Sequence, residues 1–132
     1  MPLKTILDSN FLLVPAQLKI DVFEGLMNLL NQNYEAIVLS TTIDELRSLM
    51  TKGSPKLRKQ AEMALELAEK CDLINVDRKP RETNDEVIIR VAQQKKCIVA
   101  TNDSELRKRL RNISIPVVYV RQKSRLELEG SL

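Results

Sequence analysis

Four acidic residues recur at one kind of place in this sequence. Asp8 directly follows the apolar run LKTIL (3–7), Glu45 comes shortly after AIVLS (36–40), Asp85 opens a helical pattern after DLINV (72–76), and Asp103 follows CIVA (97–100). The chain has no His, and its two cysteines, Cys71 and Cys97, stand apart without CxxC spacing. A zinc site therefore lacks ligands, and the usual Ser/His and Cys/His nucleophile pairs are excluded. Chemistry here has to rest on carboxylates, lysine or a metal. If the four acids meet, their mutual repulsion calls for a cation, and an oxygen-only donor set suits a hard one, Mg²⁺ or Mn²⁺.

Each acid alone also has a structural role open to it. Asp8 in LDSN suits an Asx-turn that ends a strand. Glu45 completes TIDE, a capping box with Thr42, which leaves Asp44 as a solvated first-turn acid. Asp85 lies in TNDE, where Thr83 and Glu86 make a second capping box, and Asp103 is flanked by Asn102 as cap and Glu105 as its reciprocal partner. Capping does not require the acids to converge; a shared site does.

What brings them together is the order of elements. The runs 3–7, 36–40, 72–76, 97–100 and 117–120 are strand-length and mostly apolar, as strands covered on both faces are. Helical spacing lies between them. Leu57, Ala61, Ala64, Leu65 and Ala68 form one stripe, behind Ser54 as N-cap and Pro55 at the first helical position. A helix or helical pair after Pro15 carries Val22, Phe23, Leu26, Met27 and Leu30 on its apolar side, and further helices are expected near 42–51, 84–95 and 103–111. Such alternation predicts parallel strands joined by right-handed crossovers, an α/β/α three-layer sandwich with a five-stranded parallel sheet. The 132 residues, 43% of them hydrophobic, fit one domain spanning 1–132. Ligands of open parallel sheets sit beyond the carboxyl ends of the strands, and all four acids are expected on that rim. The tail RQKSRLELEGSL, with a short apolar pattern at Leu126 and Leu128, reads as a frayed last turn or a contact with a partner chain.

A formal charge of +3 is a mild excess, so its distribution matters more than its total. KGSPKLRK supplies Lys52, Lys56, Arg58 and Lys59, and RKRLR supplies Arg107 and Lys108 on the helix that Asp103 begins. Beside a metal site these point to a phosphodiester substrate whose backbone the cations hold. The plainer alternatives are an Arg58–Glu62 pair on a solvated helix face and cations that complement a helix dipole. Phe11, Phe23, Tyr34 and Tyr119 are the only aromatics, so base stacking is not expected to dominate recognition. No stretch approaches the roughly 20 apolar residues of a membrane span, and an early charge argues against a secretory signal. A soluble, cytoplasmic protein with reduced, buried thiols is expected.

In that order and spacing, LDSNF, TTIDEL, NDEVI and IVATNDSELRKRL resemble the PIN-domain ribonucleases across nearly the whole chain. DSNF and the ATND, LRKRLR and IPVVYV segments look most like the ribosomal-RNA-processing branch and its archaeal relatives; the VapC toxins of toxin–antitoxin pairs share the acids but match less closely elsewhere. The resemblance implies a Mg²⁺- or Mn²⁺-dependent endoribonuclease acting on single-stranded or structured RNA. It implies Asp8, Glu45, Asp85 and Asp103 as catalytic metal ligands, with Asn10 and Thr101 beside them as supporting or substrate-positioning groups. Asn84 stands where relatives often carry an acid. The resemblance also implies a homodimer and a ribosome-assembly or antitoxin partner. The resemblance does not extend to the long basic amino-terminal arm and zinc ligands of some eukaryotic processing relatives, which are not expected here.

Two other classes compete. A non-catalytic RNA-binding or assembly factor would keep the acids for structure alone. A phosphotransfer domain is disfavoured: the phosphatase signature needs a second Asp where Asn10 stands, and a receiver reading through Asp77 finds no Lys suitably placed in VVYVRQK.

Overall fold

The structure, a computed structural model that describes residues 2–31 and 33–132, turns the β-branched runs into strands and the periodic stretches into helices. In chain order these are β1 (Leu3–Leu7), α1 (Ser9–Leu12), α2 (Val14–Leu18), α3 (Val22–Leu30), β2 (Tyr34–Leu39), α4 (Ser40–Lys52), α5 (Pro55–Ala68), β3 (Asp72–Ile74), α6 (Asn84–Lys95), β4 (Ile98–Ala100), α7 (Ser104–Asn112), β5 (Val117–Arg121) and β6 (Arg125–Glu129). The sheet runs β3-β2-β1-β4-β5-β6. Strands β1 to β5 pair in parallel, so strand order reverses between β1 and β4.

Successive strand residues face opposite layers, and this divides the core in two. Leu7, Val38, Ala100 and Val118 pack with Phe11, Leu12, Leu26 and Leu46 on the α1–α5 side. Ile6, Ile37, Val99 and Val117 pack with Val87, Ile88, Leu106 and Leu110 on the α6–α7 side. The three-layer expectation holds, with one addition at the sheet edge.

That addition is β6, which pairs antiparallel with β5 and makes the sheet six-stranded rather than five-stranded. The segment read as a frayed turn or partner contact is the second arm of a hairpin. Its turn places Gln122 and Lys123 at φ 54° and 57°. A β-turn with positive φ at both central residues normally carries Asn-Gly or Asp-Gly there, so the three-residue QKS connection between Arg121 and Arg125 carries no local hairpin signal. Leu126 and Leu128, two residues apart, then share one face and pack on the α1–α5 core.

Other boundaries moved where tertiary packing overrode local signals. Helix α4 begins at Ser40, with Leu39 as an N-cap that supplies no side-chain bond, so the expected Thr42–Glu45 capping box is not formed and Thr42 is buried. Ser54 and Pro55 do start α5 as expected, the Ser54 hydroxyl accepting from Leu57 N–H. Val22, Leu26 and Leu30 are buried along α3, but Met27 is 62% exposed and leaves the expected stripe. Cys97 is buried whereas Cys71 is only partly so; burial pushes the Cys71 thiol up to about 11, with Asp72 adding to it, and raises Cys97 as well, which leaves both as inert thiols.

The β6 strand is seated on α3 through Gly25, where an added Cβ would lie 2.6 Å from Leu126 Cδ1. Helix propensity alone favours Ala over Gly by roughly 1 kcal/mol. Gly25→Ala is therefore expected to deliver that gain only when Leu126 is first cut to Ala. Denaturant unfolding of both single variants and the double variant measures this, and an equal gain in the two backgrounds would refute the packing of β6 on α3.

Candidate metal and nucleic-acid site

Asp8 leaves the end of β1 at the point where strand order reverses, the usual place for a ligand in an open parallel sheet. It is 5% exposed and caps α1. Its Oδ1 accepts from Ser9 N–H at 2.8 Å. Its Oδ2 accepts from the Thr101 hydroxyl at 2.7 Å, across the reversal, and from Asn10 Nδ2 at 3.3 Å. Asp8 N–H in turn donates to Ala100 O at 3.0 Å, so β1 and β4 are joined at this spot by backbone and side chain together.

The residues after β4 extend the same network. Thr101 Oγ1 accepts from Asp103 N–H at 3.1 Å, and Asn10 Oδ1 accepts from Asn102 N–H at 2.9 Å. Asn102 Oδ1 accepts from Val120 N–H at 2.9 Å, which fastens β5 to the rim. Asn102 was expected to cap α7; Asp103 is itself the cap, its Oδ1 accepting from Glu105 N–H at 2.9 Å and Leu106 N–H at 3.2 Å. The second carboxylate oxygen of Asp103 has no hydrogen bond among the described residues.

Glu45 and Asp85 come from the other side. Since α4 starts at Ser40, Glu45 lies in its second turn, with no capping duty. Asn84 Nδ2 donates to Glu45 Oε2 at 3.1 Å. Thr83 and Glu86 form the expected capping box at the start of α6, which sets Asp85 in the first turn with its carboxylate uninvolved in the cap.

The fields of the four acids meet at Asp85, and Asp8 also feels Glu45. Asp8 is pushed up to about 6, first by burial and then by the charges of Glu45 and Asp85, against the lowering pull of Thr101 and Ser9 N–H. Asp85 is raised, first by burial and then by Asp103, with Glu45 and Glu86 adding and Arg109 opposing. Among the described residues no three carboxylates are close enough to grip an ion as they stand. The donor chemistry nevertheless fits a hard dication: an oxygen-only set, a buried acid unable to ionise cheaply, and carboxylate oxygens left without protein donors.

The basic residues fall in two groups. Arg107 lies over the Tyr119 ring, 4.1 Å from its centroid, on the helix that Asp103 caps, with Lys108 exposed beside it. Lys52, Lys56, Arg58 and Lys59 are exposed around the α4–α5 junction, where Lys52 stands seven residues and about 10 Å of helix rise beyond Glu45. The Arg58–Glu62 pair, the alternative to an RNA contact, is not formed among the described residues; Arg58 Nε donates to Gly53 O at 2.8 Å instead. The sequence reading did not select Asn84 as a partner of Glu45, Asn102 as the tie to β5, or the basic loop DRKPRE before α6. The last of these had a legible signal, a charge run abutting an acid of the site.

Comparison with known proteins follows the same lines. A PIN like domain family matches residues 5–123. The chain is 31% identical over 127 residues to the ribonuclease VapC4 of Methanocaldococcus jannaschii, covering 96% of this chain and 97% of that one. It is 32% identical over 122 residues to the rRNA-processing protein FCF1 of Saccharomyces cerevisiae, covering 90% of this chain but only 60% of the yeast protein. Among solved structures, that of the PIN domain endonuclease Utp24 superimposes with a TM-score of 0.79 at 31% identity, covering 99% of this chain and 94% of that one.

The raised Asp8 has a measurable cost. A carboxyl whose folded value lies above its ordinary one favours the folded state while protonated, and that benefit is lost as pH rises from about 4 through about 6. The loss at neutral pH is on the order of 3 kcal/mol. Asp8→Asn should therefore raise the melting temperature near pH 8 in metal-free buffer and leave it unchanged below pH 4. A variant less stable than the parent near pH 8 would contradict the burial of an uncompensated charge.

Proposed function

The chain belongs to the PIN-like domain family, and from that premise we propose that it is a divalent-metal-dependent endoribonuclease that hydrolyses RNA phosphodiesters. The observation that supports this reading best is the convergence of Asp8, Glu45, Asp85 and Asp103, from four separate strand-to-helix connections, on the rim where strand order reverses. Helix capping explains Asp8 and Asp103, but it gives no reason for Glu45, which caps nothing, to face Asp8 and Asp85. Bound Mg²⁺ or Mn²⁺ would supply an activated water and neutralise charge on the leaving oxygen.

The protein's own part is positioning. Asp8, Glu45, Asp85 and Asp103 offer the oxygens that hold the ion. Thr101 donates to Asp8 and accepts from Asp103 N–H, so one hydroxyl sets the spacing of two acids. Asn10 supports the same carboxylate and fixes the loop after β4 through Asn102 N–H. Arg107 and Lys108 on one side and Lys52, Lys56, Arg58 and Lys59 on the other hold the RNA backbone without reading its sequence.

The match to VapC4 over 97% of that protein supports a toxin-type ribonuclease with an antitoxin partner as a second reading. Ribosomal RNA processing remains the leading context because the DSNF and ATND segments resemble that branch. Among the described residues no helix is long and apolar enough to cross a membrane.

The test is cleavage of labelled single-stranded and hairpin RNAs with Mn²⁺, with Mg²⁺ and with EDTA. Cutting is expected with a divalent ion only and should be lost in Asp85→Asn, while Thr101→Val should lose about 10–100-fold. Undiminished cutting by Asp85→Asn, or cutting in EDTA, would overturn the metal-site assignment. Chelator-insensitive RNA binding without cleavage by any divalent ion would instead identify a binding or assembly factor.

A further inference from the structure

The loop between β3 and α6 carries a guanidinium whose surroundings the acid site alone does not explain. Arg78 is exposed, yet it is held in place by two acceptors: NH1 donates to Glu82 O at 3.1 Å, and NH2 donates to Asn84 Oδ1. Asn84 then donates through Nδ2 to Glu45 Oε2 at 3.1 Å. One amide therefore joins a cation to a carboxylate of the proposed metal cluster. The arginine bond also fixes the orientation of that amide, because only with its oxygen toward Arg78 is its NH₂ turned to Glu45.

Arg78 differs from the arginines that are spent on protein structure. Arg90, Arg111 and Arg121 each pair with a carboxylate, Glu82, Glu129 and Glu127 respectively. Arg78 has no carboxylate within salt-bridge distance among the described residues. Of the five N–H donors of a guanidinium, two are engaged and three remain for a ligand.

The loop beneath it is braced. Glu82 takes two hydrogen bonds from Arg90, both at 2.9 Å, and Arg90 NH2 also donates to Asp77 O at 3.0 Å. Lys79 N–H donates to Glu82 Oε1 at 3.0 Å, and Glu82 N–H to Lys79 O at 3.0 Å. A loop closed on itself in this way holds its arginine in place before any ligand arrives, which reduces the ordering cost of binding. Lys79 and Arg81 are exposed in the same turn and add to its positive field.

The topology gives this loop a place relative to the other cations. It follows the edge strand β3, while Arg107 and Lys108 sit on α7 after β4, with Asp8 at the end of β1 between them. We infer that Arg78 is a phosphate-binding group of this site, gripping an RNA backbone phosphate on the β3 side of the acids while the α7 cations hold the strand on the other. The inference rests on the RNA-cleaving reading above. It adds a defined path, across the carboxyl ends of the strands from the Arg78 loop to α7, and gives Asn84 the role of coupling Arg78 to Glu45.

Binding measured in EDTA separates this from cleavage. Fluorescence anisotropy of a short labelled single-stranded RNA is followed over a range of salt for the full chain, Arg78→Ala, Arg78→Lys and Lys70→Ala; Lys70 is exposed just before β3, at the opposite end of the sheet. Arg78→Ala should weaken binding about tenfold and lower the salt slope by about 0.7, the share of one phosphate on a single strand. Arg78→Lys should recover the slope but only part of the affinity, since it keeps the charge and loses the fork. Lys70→Ala should bind as the parent does. The inference is overturned if Arg78→Ala keeps the parent's affinity and slope, or if Lys70→Ala weakens binding equally, and neither result touches the nuclease reading. A parent chain that neither binds nor cuts RNA overturns both.

Discussion

A carboxylate buried where the sheet changes direction is the constraint on which the rest of this molecule depends. Asp8 is nearly sealed from solvent, and its two oxygens are met by Ser9 N–H, the Thr101 hydroxyl and the Asn10 amide. Three donors do not offset the burial, and with Glu45 and Asp85 nearby the carboxyl sits at about 6. The fold tolerates this because the same contacts join β1 to β4, which are adjacent in the sheet and more than ninety residues apart in the chain. Stability is given up at one point for a gathering of negative charge on the rim, as expected where function and folding compete.

Capping and metal-binding roles, alternatives for an isolated acid, are compatible in the folded chain because a carboxylate has two oxygens. Asp103 uses Oδ1 for the first turn of α7 and leaves Oδ2 without a donor among the described residues. Asp85 stands in the first turn of α6, where the capping bonds are made by its neighbours Thr83 and Glu86. Using helix starts to aim acids at a rim costs little in backbone organisation, since the orphan N–H groups there favour negative charge in any case. Glu45 is the exception and the more telling for it: it lies inside α4, held by an amide from α6, with no helix terminus to serve.

The cations follow a different rule from the acids. The acids are fixed by backbone and buried neighbours; the α4–α5 lysines are long, exposed side chains, suited to a field that holds a polyanion without specifying it. Arg107 on Tyr119 and Arg78 on Asn84 are guanidiniums ordered beside the rim without a carboxylate partner among the described residues. With Phe11 buried and Tyr34 hydroxyl donating to Phe23 O, few aromatic faces are left to discriminate bases.

The strand runs, the alternation with helices and the position of each acid after a strand were legible in the residues, because the period of apolar side chains depends only on local geometry and on which faces are covered. LKTIL became Leu3–Leu7 and NDEVIIRVAQQK became Asn84–Lys95 without adjustment. The sixth strand was not legible: the QKS connection has no propensity for two positive φ values, and only pairing with β5 and packing on Gly25 hold it there. The start of α4 at Ser40 was hidden by a capping motif that matched locally and lost to the burial of Thr42. The Arg78–Asn84–Glu45 connection was likewise out of reach, since it spans 39 residues between its last two members. Sequence by itself determined the five parallel strands, the helices between them and the placing of an acid after each of the first four; only the tertiary structure decided that a sixth strand forms, which acids share a field, which oxygens remain unbonded and which cation stands beside them, because those depend on distances set by the order of strands in the sheet.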